Sequence, residues 1–273
     1  MDFNFTDDQN ALRDAVARWV EKDFAFERRH ALAKAGGKTR EVYRQLAELG
    51  LSGLAIDPDH GGMGFGAVEA MVVMEELGRG LVNAPYAAGA LVAPSLLAGS
   101  DAAADWLPRI ADGSALVVLA HQESGARYRL EASATTATPQ GGGWRVSGRK
   151  QLVPAGDEAD AFVVLARTAQ AGSCLLLVER AHAQVRGYPT QDGARAADIT
   201  LGDAPATLLH ADGGERLAHA AHIGLAAACA EGVGAMDRLV AITVEYMNTR
   251  KQFGATLASF QALRHRMADV KMQ

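Results

Sequence analysis

Cysteine is nearly missing from this chain of 273 residues, with only Cys174 and Cys229. That excludes a disulfide framework and a cysteine-rich metal or redox centre, and leaves buried thiols in a reducing cytoplasm as the expected state. Long apolar runs are missing too. The longest, such as 70–74 and 175–178, are far too short to cross a bilayer. There is no basic excess: 27 Lys and Arg against 32 Asp and Glu give a net charge of −5, and no basic arm offers itself to nucleic acid. The opening residues Met1-Asp2-Phe3-Asn4-Phe5 lack the basic-then-apolar order of a signal peptide. His60, His210, His219, His222 and His265 show no consistent metal spacing, so no metal is expected. Internal repeats and low-complexity tracts are absent. These absences describe a cytoplasmic globular protein without a nucleic-acid or membrane partner, and 49% hydrophobic residues are those of an ordinary core-forming chain.

What is present falls into three blocks. The first is helical. Thr6-Asp7-Asp8-Gln9 reads as a capping box with acidic residues in the first turn, followed by Leu12, Val16, Trp19, Val20 and Phe24 at helical spacing. A second helix is predicted after Thr39, with Val42, Leu46 and Leu49 on one side and Gly50 as its stop. The segment 57–66 is too rich in Gly and Pro for regular structure, and helices are predicted again over 67–78, 86–97 and 102–110. The second block changes period. Short strand-like runs at 115–121, 144–146, 161–166, 174–178 and 199–201, with Gly141-Gly142-Gly143 as a hairpin turn, predict a compact antiparallel β-domain. The third block returns to helix over 218–249. Gly224, Gly232 and Gly234 each cost a helix about 1 kcal/mol, so they require close approach of a neighbouring helix or a ligand. A last helix over 257–272 carries Leu257, Phe260, Leu263, Met267 and Val270 on a face that something must cover, either further helices or another chain.

Near the end of the chain stands Tyr246-Met247-Asn248-Thr249-Arg250-Lys251-Gln252-Phe253-Gly254, then Phe260-Gln261. This resembles the R-K-Q-F-G … F-Q signature of acyl-CoA dehydrogenases. Pro58-Asp59-His60-Gly61-Gly62-Met63-Gly64 looks like that family's P-E-x-x-G-G-x-G segment, and Val73-Met74-Glu75-Glu76-Leu77-Gly78 follows it. Leu119-Ala120-His121-Gln122-Glu123 occupies the place of the family's first flavin loop, and Trp144-Arg145-Val146-Ser147-Gly148-Arg149-Lys150 tracks its β-domain. The resemblance covers essentially the whole chain. It implies an α+β three-part fold: an N-terminal helical domain (1–112), a middle antiparallel β-domain (113–212) and the start of a C-terminal helical bundle (213–273), incomplete beside the family pattern. It also implies FAD, an acyl-CoA substrate, assembly with another acyl-CoA dehydrogenase subunit as a homo- or heterotetramer, and electron transfer to an electron-transferring flavoprotein.

The departures matter as much. The family's loop T-E-x-x-x-G-S-D has Gln122 here for its threonine and Arg127-Tyr128-Arg129 for Gly-Ser-Asp. Its W-I-T or F-I-T segment is Leu152-Val153-Pro154, which removes an aromatic shelf and a hydroxyl; proline restores that donor neither by side chain nor by backbone. On this resemblance Gln122, Val153, Arg250, Gln252, Phe253 and Gln261 are the candidate cofactor residues. Arg250 suits a pyrophosphate, against a role as a solvated helix-end arginine. Gln122 either replaces the threonine through its amide or does not. Arg127 and Arg129 either hold a CoA phosphate or substrate carboxylate, or form surface ion pairs. In the family a glutamate abstracts the α-proton while hydride leaves Cβ. No residue here is assigned as that base, because Gly224 stands in one alternative position, and Glu231 and Glu245 read as surface or helix-pairing residues. The Gly61-Gly62-Met63-Gly64 loop lacks the lysine and spacing of a phosphate cradle and reads as a structural turn.

This mixture looks most like the small subunits of pimeloyl-CoA-type dehydrogenases; related bacterial enzymes acting on steroid side chains work as mixed tetramers of two different family members. Two functions stand: an FAD-dependent acyl-CoA dehydrogenase subunit for a bulky or dicarboxylic acyl-CoA, or a non-catalytic subunit that completes a partner's flavin site. A flavin-dependent monooxygenase of similar fold is disfavoured by the R-K-Q-F-G tail. The lost contacts predict that the chain alone holds FAD weakly.

Overall fold

Thr6 opens the first helix as its sequence predicts. Its hydroxyl accepts from the Gln9 amide at 3.2 Å and the Gln9 side chain accepts from the Thr6 N–H at 3.0 Å, a reciprocal box that satisfies two orphan donors. The computed structural model describes residues 4–126, 129–130, 134–169 and 172–273. The helices before the sheet are α1 (Asp7–Asp23), α2 (Phe26–Lys34), α3 (Arg40–Glu48), α4 (Ala67–Arg79), α5 (Ala93–Leu97) and α6 (Ala103–Ala111). Residues Ala87–Val92 are π-helical rather than α-helical, with Gly89 admitting Leu116 and Tyr43 where a side chain would stand. α3 begins after Thr39 as expected, yet the Thr39 side chain does not cap it. Glu158 does so instead, accepting from the Thr39 and Arg40 N–H groups at 2.8–3.1 Å. α2 has no buried residue and so left no apolar stripe to read.

Seven strands follow: β1 (Val117–Ala120), β2 (Thr136–Gln140), β3 (Gly143–Pro154), β4 (Ala161–Arg167), β5 (Ser173–Glu179), β6 (Gln184–Pro189) and β7 (Arg195–His210). Gly141 and Gly142, at φ 60° and 83°, make the two-residue turn between β2 and β3. The pairings run β4–β5–β7–β3–β2 and back to β4, so the sheet closes on itself, with β1 beside β4 and β6 beside β7. All pairs are antiparallel except β1–β4 and the single β2–β4 contact. β3 and β7 are far longer than the runs 144–146 and 199–201 from which they were expected. After the sheet come α7 (Gly213–Thr249), the short hairpin strands β8 (Lys251–Gln252) and β9 (Ala255–Thr256), and α8 (Gln261–Met272).

The chain forms two units. One comprises Phe26–Met71 and Asn83–Ala228, and its core gathers Leu96, Trp106, Leu107 and Ile110 from the helices with Val117, Val163, Leu165, Leu175 and Leu177 from the sheet and Leu217 from α7. The other comprises Met1–Ala25, Val72–Val82 and Cys229–Gln273. There α4 and α7 meet backbone to backbone. A Cβ on Gly234 would lie 1.8 Å from the Glu75 carbonyl oxygen, and one on Gly78 would lie 2.1 Å from that of Glu231. Arg79 binds Glu76 on its own helix and Asp237 across the crossing, holding the Asp237 carboxyl below its usual range, and Lys271 of α8 reaches Asp237 at 3.4 Å.

Candidate functional site

β1 ends at Ala120, and the next residues turn across β3. The Gln151 N–H donates to the Gln122 carbonyl at 2.9 Å. On either side of Gln122 the chain is tied to Lys150, whose side chain is 0% exposed. The Lys150 ammonium donates to a Glu123 carboxylate oxygen at 2.7 Å and to the His121 carbonyl at 3.3 Å. Glu123 also accepts from the N–H groups of Ala134 and Thr135 and from the Thr135 hydroxyl at 2.8 Å. Burial pulls the Lys150 ammonium below the usual lysine range, with Glu123 opposing. Burial and the Lys150 charge likewise hold His121 below the ordinary imidazole value.

Just beyond, β3 carries a bulge. Lys150 pairs with Ile199 and Val153 with Ala197, so Gln151 and Leu152 together face Asp198. An extra residue in one strand re-aims its side chains. Leu152, at φ 52°, is 54% exposed, whereas Val153 is 1% exposed. The side chain presented at this segment is therefore that of Leu152; Val153, the candidate from the sequence, has its side chain in the core. Leu152 borders an open groove of about 400 Å³ with Gln151, Arg186, Tyr188 and Asp198. Asp198 accepts from the Tyr188 hydroxyl at 3.1 Å and from Arg186 at 3.2 Å. The half-buried Gln122 makes no side-chain hydrogen bond to another described residue. Its amide donor and the apolar Leu152 suit the edge of a planar ring such as a flavin, and Pro154 adds no donor. The donor set fits that group, though thinly.

Arg250, Gln252, Phe253 and Gln261 stand together in the other unit, all exposed. α7 stops at Thr249, and the Leu257 N–H returns to the Arg250 carbonyl at 2.9 Å to close the β8–β9 hairpin. At its tip Phe253 has φ 54° and is 91% exposed, touching Phe260 edge-on at 6.4 Å. A bulky residue at positive φ is uncommon, and here it holds an aromatic ring outward.

The remaining expectations divide. In the glycine loop the N–H groups of His60, Gly61, Gly62, Met63, Gly64 and Phe65 all donate to main-chain carbonyls, so none remains for a phosphate. Of the two free thiols Cys174 is buried, which pushes it up to about 11, but Cys229 lies exposed on α7, contrary to expectation. Among the described residues no group of three or more His, Cys, Asp or Glu is placed to hold a metal. Arg127 and Tyr128 lie outside the described residues, and Arg129 is exposed with a 3.4 Å bond to the Gly125 carbonyl. Glu231 and Glu245 are both exposed. The Lys150–Glu123 tie was missed. A lysine followed by Gln-Leu-Val in a strand reads as a surface residue, and only the paired glutamate before a polar loop hints otherwise.

Two family models match the chain: "Acyl-CoA dehydrogenase, N-terminal domain" over residues 6–114 and "Acyl-CoA dehydrogenase, C-terminal domain" over residues 212–273. The acyl-CoA dehydrogenase IpdE2 of Mycobacterium tuberculosis is 31% identical over 266 residues, covering 97% of this chain and 71% of the relative. Benzylmalonyl-CoA dehydrogenase of Aromatoleum aromaticum is 28% identical, covering 99% and 76%. Among solved structures, the ChsE4–ChsE5 complex from Mycobacterium tuberculosis superposes with a TM-score of 0.88 at 26% identity, over 99% of this chain and 76% of that one.

Proposed function

The chain belongs to the acyl-CoA dehydrogenase family, and from that premise we propose that it is an FAD-dependent acyl-CoA dehydrogenase subunit that oxidises the Cα–Cβ bond of an acyl-CoA thioester. FAD, the family's cofactor, supplies the hydride-accepting ring. Gln122 and Leu152 would hold the ring bound by this chain, Gln122 offering its amide as a donor and Leu152 an apolar surface. Arg250, Gln252, Phe253 and Gln261 reach toward the flavin of a neighbouring subunit in a homo- or heterotetramer. The observation that carries this reading is the 121–123 segment, bonded to β3 on both sides of Gln122 next to the bulge that exposes Leu152. Residues 113–212 form the β-domain that holds it, between helical domains at 1–112 and 213–273. A bulky or dicarboxylic acyl group is supported by the similarity to benzylmalonyl-CoA dehydrogenase. An electron-transferring flavoprotein takes the electrons. No helix of the described residues is long and apolar enough to cross a membrane.

One observation favours a second reading, a non-catalytic subunit that completes a partner's flavin site. Phe253, at the tip of the β8–β9 hairpin, leaves its ring 91% exposed. Flavin absorbance of the chain purified alone, and again with a co-expressed acyl-CoA dehydrogenase subunit, separates the two. If the chain holds its own FAD, Gln122→Ala weakens it by about 0.5–1.5 kcal/mol, the worth of one neutral hydrogen bond. Arg250→Ala costs about 1.5–3 kcal/mol through the neighbouring site. If flavin appears only with the partner, and Arg250→Ala lowers it while Gln122→Ala does not, the second reading replaces the first.

A further inference from the structure

The buried pair of Lys150 and Glu123 poses a physical question. Two charges lie at 0% and 8% side-chain exposure, 2.7 Å apart. Desolvation offsets most of what such a pair gains, and apolar residues of similar size are often as stabilising or more so. Stability alone therefore explains the pair poorly. Its geometry explains it better. Lys150 donates to the carbonyl of the residue before Gln122 and to the side chain of the residue after it, while the neighbouring Gln151 N–H holds the Gln122 carbonyl itself. Glu123 is fixed in turn by Ala134 and Thr135. Three successive residues are thus bonded to two successive residues of β3, and the residue in the middle is the one with an uncommitted amide.

We infer that Lys150 and Glu123 are positioning residues, which act through Gln122 by fixing the main chain on both sides of it so that its amide meets the edge of the flavin. This rests on the reading that Gln122 contacts FAD. The pair touches no cofactor atom; it sets where the donor stands, and its removal costs the binding of FAD more than it costs the fold.

The test is a double-mutant cycle on the full chain, freed of flavin and titrated with FAD, with the dissociation constant, the visible spectrum of the bound flavin and the melting temperature of the apoprotein all recorded. Gln122→Ala weakens FAD about tenfold, the equivalent of one hydrogen bond, and leaves the melting temperature unchanged. Lys150→Met leaves a buried carboxylate without its cation and lowers the melting temperature. Lys150→Met combined with Glu123→Gln removes both charges but keeps an acceptor for Ala134 and Thr135, so the melting temperature recovers. The FAD constant does not recover, staying about tenfold weak, and adding Gln122→Ala to this pair changes neither the constant nor the spectrum. Should Lys150→Met fail to fold, Glu123→Gln alone and the combined variant still complete the cycle. If FAD affinity returns with the melting temperature, or if Gln122→Ala costs the same tenfold in the combined variant, the pair is merely structural and the inference is overturned while the flavin reading stands. If Gln122→Ala has no effect in the unaltered chain, the flavin reading itself fails, and the inference with it.

Discussion

Two glycines in α7, two positions apart, are expected to respond to the same substitution with opposite signs. Gly232 has open space where its Cβ would be, whereas a Cβ on Gly234 would lie 1.8 Å from the Glu75 carbonyl oxygen and 2.9 Å from the Arg79 nitrogen. In a helix interior alanine is favoured over glycine by about 1 kcal/mol, from backbone entropy alone. Gly232→Ala realises that gain, stabilising the chain by about 0.5–1 kcal/mol. At Gly234 the obstructing atoms belong to the α4 backbone, which cannot rotate aside as a side chain can. The helices must part, and overpacking of this kind costs about 1–3 kcal/mol or more. The helix gain is common to both variants, so they differ by the overpacking cost itself, about 1–3 kcal/mol or more, and Gly234→Ala destabilises wherever that cost exceeds the gain. Gly78→Ala, opposed by the Glu231 carbonyl at 2.1 Å, behaves like Gly234→Ala. Denaturant midpoints followed by far-UV circular dichroism measure the differences. If Gly232→Ala lowers the midpoint as far as Gly234→Ala does, the α4–α7 crossing is not what requires glycine here, and the reasoning fails.

Glu158→Ala leaves the first N–H groups of α3 without their acceptor and costs about 1–2 kcal/mol, the usual worth of a helix cap, read as a lower denaturation midpoint. His121 and His210 both titrate below the ordinary imidazole value, chiefly through burial. The unfolded chain therefore takes up protons first on acidification. Their contribution to stability is complete above about pH 6.5 and is lost as the pH falls from there through their folded values. Melting temperatures recorded down this range should decline, and His121→Gln with His210→Gln should flatten the decline.

Much of the fold could be read locally because it is determined locally. The Thr6–Gln9 box, the Gly141-Gly142 turn and the Gly50 stop, at φ 80°, are each fixed by residues a few positions apart. The long strands could not be read in this way. β7 continues through Gly202-Asp203-Ala204-Pro205 because Asp203 takes φ 56° in a bulge and its N–H donates to the Ser147 hydroxyl at 3.1 Å, a compensation from another strand. β6 was missed because it is mostly exposed, and Arg186, Gly187 and Pro189 break up any apolar run. The same limit governs the site. Gln122 and the residues of 250–261 could be named as candidates because a motif marks them in one dimension. That Leu152 rather than Val153 is the exposed side chain follows only from the β3–β7 register, and Lys150 meets Glu123 only once the loop has turned back on the strand.

The closed sheet also has a history along the ribosome. Residues 161–166 of β4 and 174–178 of β5 are wholly buried and uncharged, the composition of segments that self-associate when left uncovered. They pair with each other as soon as β5 is made, but the other edge of β5 waits for the far end of β7, where Leu175 and Leu176 meet His210 and Leu208. At the pace of translation that is an interval on the order of seconds. Throughout it, a hairpin of two apolar strands stands with an open edge. Asp160, Arg167, Glu179 and Arg180 bracket the two runs, and flanking charges of this kind keep such segments from stacking with their like. Neutralising Arg167 and Glu179, both exposed, would leave the finished sheet nearly unchanged, and would reduce how much of the newly made chain reaches it.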